Sequence, residues 1–316
     1  MKFSIKIIGV SIACVLGFLA VNSHAKSPRI LMLLWQESAG AERGFKDTIA
    51  EKLPDKKIKY TVFNIHKNID LLHDFLTTAR ESDYNLVYTY GSQITSKVAE
   101  NYQTVPIVFN IVYDPIGYKI IESWDKKQHN LTGVSNSIST NIQLQKIEEV
   151  VGKGSIGFIY NPLDRRALES KKEMESYLTE RGYELISFEF QKNYRPLNAY
   201  LKRIKNSVTC IYISSDWQIS KHIKRILSRI NRRRIPTCVT SLSYLNKGAF
   251  LCISAEYYKM GKIAGDSAVK ILQGTKPLDL PVQRPSPSDI NLFVSAVTLR
   301  KLNIQLPKNV DIHFIQ

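Results

Sequence analysis

From Pro28 onward, short apolar runs alternate with segments whose apolar residues recur every three or four positions. RILMLLW (29–35) is followed by GAERGFKDTIAEKL (40–53), KYTVFNI (59–65) by NIDLLHDFLTTAR (68–80), and NLVYTY (85–90) by SQITSKVAENY (92–102). Alternation in this rhythm predicts strand–helix crossover units and a parallel sheet. The runs lack strict in–out periodicity, as expected of strands covered by helices on both faces. A fourth run, VPIVFNIVYDPIGY (105–118), stops abruptly at Asp114-Pro115 and turns polar.

After NLTGVSN (130–136) the same grammar restarts: helix TNIQLQKIEEVV (140–151), strand SIGFIY (155–160), helix 167–181, strand YELISFEF (183–190), strand VTCIYIS (208–214) and helix 218–231. A second α/β unit is expected there. The last of these helices places Ile219, Ile223, Ile226, Leu227 and Ile230 on one face and Lys221, Lys224, Arg225 and Arg229 on the other, running on into Arg232, Arg233 and Arg234. That basic face reads either as a solvated helix or as a docking surface for an acidic partner or anionic lipid headgroups. No long linker separates the halves, and the only loop-rich stretch is PVQRPSPSD (281–289). Two rigid lobes joined by several short crossings leave a cleft, and such clefts bind ligands.

The first 25 residues change the picture of where this happens. Lys2 and Lys6 precede an apolar stretch from Ile7 to Val21, followed by Ser23-His24-Ala25. This pattern predicts a cleaved secretory signal peptide with the mature chain starting at Lys26, an uncleaved anchor being the alternative. Cys14 lies within the apolar stretch and reads as ordinary signal sequence, so a periplasmic location is expected. Removal of that segment takes the formal charge from +16 on 316 residues to +14 on 291, long enough for two domains. The basic balance favours anionic ligands or surfaces, and export argues against nucleic acid as the partner. The three remaining cysteines, Cys210, Cys238 and Cys252, lie in strand-like runs and read as buried free thiols, with one bridge among them left open.

Catalytic motifs find little support. GKGSIG (152–157) precedes its strand, whereas phosphate cradling needs the glycines between strand and helix. His66, His73, His129, His222 and His313 show no metal-ligand spacing, so neither a metal, a cofactor nor an enzyme is expected. What recurs is a polar cluster beyond each apolar strand: Trp35-Gln36-Glu37, Gly91-Ser92-Gln93, Tyr113-Asp114-Pro115, Asn161-Pro162-Leu163-Asp164 and Ser214-Ser215-Asp216-Trp217. In open parallel sheets, strand carboxyl ends face the binding crevice, where helix N-termini also offer free N–H groups. Ser92 and Asp216 are equally natural helix N-caps. Asp114 could meet an ammonium or hydroxyl of a small solute, or cap a helix begun by Pro115.

Taken in order, TVPIVFNIVYDPIGY, NLTGVSN, IGFIYNPLD, CIYISSDW, ISAEYYKMGKIAGDSAVKILQGTKPLDLPV and INLFVSAVTLRKLNIQLP resemble the ABC-transporter substrate-binding family related to tryptophan- and tyrosine-binding proteins, from about residue 28 to 307. The resemblance implies a type I periplasmic-binding fold, an α/β architecture of two Rossmann-like lobes closing on a solute without chemistry. It implies lobes of 26–135 with 255–283 and of 136–254 with 284–316, and ligand-facing positions at Ser92, Asp114, Asn161, Asp216 and Glu256. The chain departs from the family pattern at Ser92-Gln93-Ile94, Ser215-Asp216-Trp217, Glu256 and Asp164-Arg165-Arg166-Ala167. The two arginines could clamp a carboxylate or phosphate, or simply start a solvated helix. The expected site therefore comprises Trp35, Ser92, Gln93, Tyr113, Asp114, Asn161, Asp164, Arg165, Asp216, Trp217 and Glu256, with Trp35, Tyr113 and Trp217 as flat apolar contacts. The expected function is that of a monomeric periplasmic protein handing a small amino-acid-like or anionic solute to an ABC permease. A ligand sensor for a membrane kinase or cyclase is the rival.

Overall fold

The computed structural model describes residues 27–37, 39–126 and 128–316, so the predicted signal peptide lies outside the described residues. The first half builds β1 (Arg29–Leu34), α1 (Ala39–Lys52), β2 (Lys59–Asn64), α2 (Ile69–Thr78), β3 (Leu86–Tyr90), α3 (Ser92–Asn101), β4 (Ile107–Val112) and β5 (Leu131–Ser135). These strands form a parallel sheet in the order β2-β1-β3-β4-β5. The inner strands β3 and β4 are buried along their whole length, while the edge strand β2 is largely exposed. Helices on both faces account for the continuous apolar runs.

The second half builds α4 (Thr140–Val151), β6 (Ile156–Tyr160), α5 (Arg165–Thr179), β7 (Leu185–Glu189), α6 (Tyr194–Ile204), β8 (Cys210–Ile213), α7 (Trp217–Asn231), β9 (Thr237–Val239), β10 (Leu251–Ala255), α8 (Tyr257–Leu272), β11 (Ile290–Ser295), α9 (Ala296–Leu302) and β12 (His313–Ile315). Its sheet runs β12-β11-β10-β9-β8-β6-β7, parallel except where β11 lies antiparallel to β10. Cys210, Cys238 and Cys252 sit buried on β8, β9 and β10 as free thiols. No described helix is long and apolar enough to cross a membrane.

Helix α6 has no counterpart in the sequence reading, which passed directly from one strand to the next. The helix is nevertheless amphipathic, with Leu197, Tyr200, Leu201 and Ile204 buried at helical spacing. Pro196 in its first turn, where proline is tolerated, and a dense run of bases obscured it.

The chain passes between the sheets three times. It leaves β5 for α4, returns from β10 into α8, and crosses back through the 280s into β11. Helix α8 packs on α1, and glycines set the approach: a β-carbon at Gly44 would lie 2.2 Å from the Tyr258 carbonyl oxygen, and one at Gly261 2.1 Å from that of Ala41. The first and third crossings are stitched together where Ser135 N donates to Gln283 O at 2.9 Å and Gln283 N to Gly133 O at 2.9 Å.

Candidate functional site

Strand β4 ends in a bulge. Its register against β5 shifts between Asn110 and Val112, and Ile111 between them adopts φ +53°. A left-handed conformation is a genuine outlier for a β-branched residue, and bulges re-aim the chain beside functional sites. The turn is held by buried polar groups. Asn110 Nδ2 donates to Tyr88 Oη at 3.2 Å, Asn110 Oδ1 accepts from Ile111 N at 2.9 Å, and Ser135 Oγ donates to Val112 O at 2.6 Å. Beyond it, Tyr113 N donates to Ser92 Oγ at 3.2 Å.

No helix follows Pro115; instead Asp114 Oδ1 accepts from Gly117 N at 3.0 Å and steadies a turn. The same carboxylate reaches across to the second half. Arg165 Nη2 donates to Asp114 Oδ1 at 3.0 Å and to Oδ2 at 2.9 Å, and Arg165 Nη1 pairs with Glu169. Burial opposes the Arg165 charge, but Asp114 and Glu169 outweigh it and raise its pKa. Asp164 caps α5 by accepting from Ala167 N at 2.8 Å, which presents Arg165 and Arg166 on the first turn. The Arg166 guanidinium lies 3.9 Å from the centre of the Tyr113 ring, donates to the Tyr113 carbonyl, and donates to Ser137 Oγ at 2.6 Å. Removal from water pushes the Tyr113 phenol up, opposed by Arg166.

Two small cavities flank this stack. One of about 90 Å³ is bordered by Tyr113, Asp114, Trp124, Ser137, Arg166 and Arg284. The other, about 20 Å³, is bordered by Tyr113, Asp164, Arg166, Tyr212, Ser214 and Asp216. A cavity holds a water from roughly 10–15 Å³ upward, so both accommodate water but are too small for an amino acid. Arg284 lies 3.5 Å over the Trp124 ring, and burial, with Arg166 nearby, lowers its pKa.

The remaining expected residues divide clearly. Asp216 is buried and fully engaged: Oδ1 accepts from Gln218 N at 2.9 Å, Ile219 N at 3.0 Å and Asn161 Nδ2 at 3.3 Å, and Oδ2 accepts from Ser214 Oγ at 3.0 Å. It is the N-cap of α7, and it also borders the smaller cavity. Asn161 serves the same network and accepts from Leu163 N at 3.1 Å. For α3 the N-cap is Gly91, at φ +98°, with Ser92 the first helical residue. Trp35 is half-buried beside Gly91, and Gln93 is exposed. Trp217 is 63% exposed under the Lys221 ammonium, and Glu256 pairs with Lys259 at 2.9 Å at the start of α8. Of the expected residues, Trp35, Ser92, Gln93, Asn161, Trp217 and Glu256 border neither cavity. Ser137, Trp124, Tyr212 and Arg284, which do, were not anticipated. Ser137 follows a strand by two residues and was legible as a strand-tip polar group, but the loop residue Arg284 carries no periodic signal.

Two sheets whose strand tips face each other, joined by three crossings and bridged by Asp114 and Arg165, define a two-lobed protein of the type I periplasmic-binding class. Residues 34–313 match the model of the ABC transporter substrate binding protein family, and the chain belongs to that family. Such proteins bind small molecules without chemical turnover and work with an ABC permease. The tyrosine-binding protein of Clostridioides difficile (strain R20291) is 21% identical over 279 residues, covering 87% of this chain and 80% of that one. The ligand-free, open structure of a substrate-binding protein with adhesive properties from Clostridium difficile aligns with a TM-score of 0.79 at 18% identity, over 92% of this chain and 99% of that one. The ABC domain from Streptococcus pneumonia in complex with L-Trp aligns with a TM-score of 0.64 at 18% identity, over 90% and 99%.

Proposed function

We propose that this protein is the periplasmic solute-binding component of an ABC importer, released by cleavage after Ala25. Its lobes, residues 26–135 with 255–283 and residues 136–254 with 284–316, close on a small amino-acid-like or anionic solute. The observation that carries this reading is the ion pair between Asp114 and Arg165 across the cleft, with Arg166 stacked on Tyr113 beside it. An ammonium or hydroxyl of the solute takes Asp114, and a carboxylate takes an arginine bidentately. The Tyr113 ring, once Arg166 swings off it, offers a flat apolar face. Because the Arg165 side chain is 48% exposed, the bridge contributes at most about 1 kcal/mol and is readily exchanged for a solute. The tyrosine-binding relative and the L-Trp complex support an amino-acid-like ligand. Isothermal titration against a panel of amino acids and small anions tests the reading. One-to-one binding by at least one of them is expected; folded protein that binds none overturns it.

A further inference from the structure

The basic charge of this chain is concentrated. Between Phe190 and Ala255 lie thirteen Lys and Arg residues and a single acid, Asp216, which is buried at the cleft end of α7. The fold gathers these bases on one flank of the second lobe. Helices α6 and α7 lie side by side there: Arg233 Nη2 donates to Asn198 O at 3.3 Å, Tyr194 Oη and His222 Nδ1 are 2.6 Å apart, and the Arg229 guanidinium lies 4.2 Å from the Tyr194 ring centre. Both helices bury their apolar stripes in one core, Leu197 and Leu201 with Ile223 and Leu227. Outward they present Arg195, Lys202 and Arg203 from α6 and Lys221, Lys224 and Arg225 from α7, all exposed.

At the far end of α7 the charge continues into a groove of about 550 Å³ bordered by Lys224, Arg232, Lys247 and Lys301, with Gln316 at its rim and no Asp or Glu side chain among its lining residues. The ion pairs among the described residues involve none of these bases. Apolar anchors are sparse as well: of the exposed large apolar side chains, none is on α6, α7 carries only Trp217, at the cleft end, and Val297 alone lines the groove. Specific protein interfaces centre on buried aromatic or apolar anchors and are depleted in lysine. A broad basic face with so few anchors matches instead a delocalised anionic surface, where each base adds a small, additive attraction.

We propose that the α6–α7 flank is an adsorption surface for anionic phospholipid headgroups, holding the protein against a membrane while the cleft, at the N-terminal ends of these helices, stays open to solute. This inference does not depend on the solute reading. The test is cosedimentation of the mature chain with vesicles of phosphatidylcholine alone or with about 30% phosphatidylglycerol, at salt from about 50 to 500 mM. Binding is expected only to the anionic vesicles, and is lost as salt rises. The quadruple variant Lys202→Glu, Arg203→Glu, Lys224→Glu, Arg225→Glu should bind more than tenfold more weakly. An equal reversal on the first lobe and α8, Lys57→Glu, Lys59→Glu, Lys262→Glu, Lys270→Glu, should change binding less than twofold. Folded parent protein that ignores anionic vesicles at low salt, or equal losses in both variants, overturns the proposal. Capture of an acidic protein partner through this flank with no vesicle binding overturns it too. Solute titration of the flank variant keeps the two readings separate, since it should be unchanged.

Discussion

Asp114 and Asp216 both follow an apolar strand, and in sequence they look alike. The structure separates them by where their oxygens are spent. Asp216 accepts two backbone N–H bonds at the start of α7 and is buried, so Asp216→Ala should cost about 1–2 kcal/mol of stability. Asp114 spends one oxygen on a turn and both on a half-exposed arginine of the other lobe. Asp114→Asn should therefore lower stability by less than about 1 kcal/mol but weaken solute binding about 10- to 100-fold, as loss of a hydrogen bond to a charged group does. Melting curves and titration on both variants check the contrast; equal loss of affinity in the two would contradict it.

Glu81 offers a pH test at the same scale. Burial opposes its charge, but the backbone N–H groups of Thr104 and Val105, at 3.0 and 3.2 Å, outweigh it and hold the carboxyl below its ordinary value of 4.5. A depressed folded-state pKa gives stability that is present above the unfolded value and lost as pH falls through the folded one. Glu81→Gln should lower the melting temperature at neutral pH by a few degrees, corresponding to about 1 kcal/mol. The gap from the parent should close as pH drops below 4.5.

At the scale of elements, hydrophobic periodicity carried most of the fold. Continuous apolar runs revealed the inner strands because helices cover both faces of the sheet, and the alternation of bases with isoleucines gave α7 its correct inner face. Periodicity misses α6, where a first-turn proline masks an otherwise regular pattern, assigns no element beyond α7, and has no access to the antiparallel pairing of β11, which is set by the chain's return from α8. The close approach of α1 and α8 was equally hidden, since it depends on glycines meeting backbone from a distant segment. Gly44→Ala and Gly261→Ala each place a methyl within 2.2 Å of a carbonyl oxygen. Each should cost about 1–3 kcal/mol by forcing the helices apart. Urea unfolding should show a lower midpoint with an unchanged slope; wild-type stability in both variants would mean that the helices are not in contact as described.

For the molecule as a whole, strand-tip chemistry could be read residue by residue, but not which tips meet. The pairing of Asp114 with Arg165 depends on how the two lobes face each other, a property of three crossings rather than of any local pattern. The first and third of those crossings are stitched by backbone hydrogen bonds around Ser135 and Gln283, and Glu256 N donating to Asp289 O ties in the second, so the three can bend together as one hinge. The contacts of Arg165 with Asp114 and of Arg166 with Tyr113 and Ser137 then oppose opening. Exposed ion pairs are screened by salt, so the unliganded protein should open as ionic strength rises. The double variant Arg165→Ala, Arg166→Ala should already be open at low salt. Small-angle scattering reads this as a radius of gyration above the roughly 19 Å of a compact chain of this length. In the variant that radius should no longer respond to salt. Parent and variant with the same radius at low salt would show that the arginines do not hold the lobes together, and closure would then have to be attributed to the hinge alone.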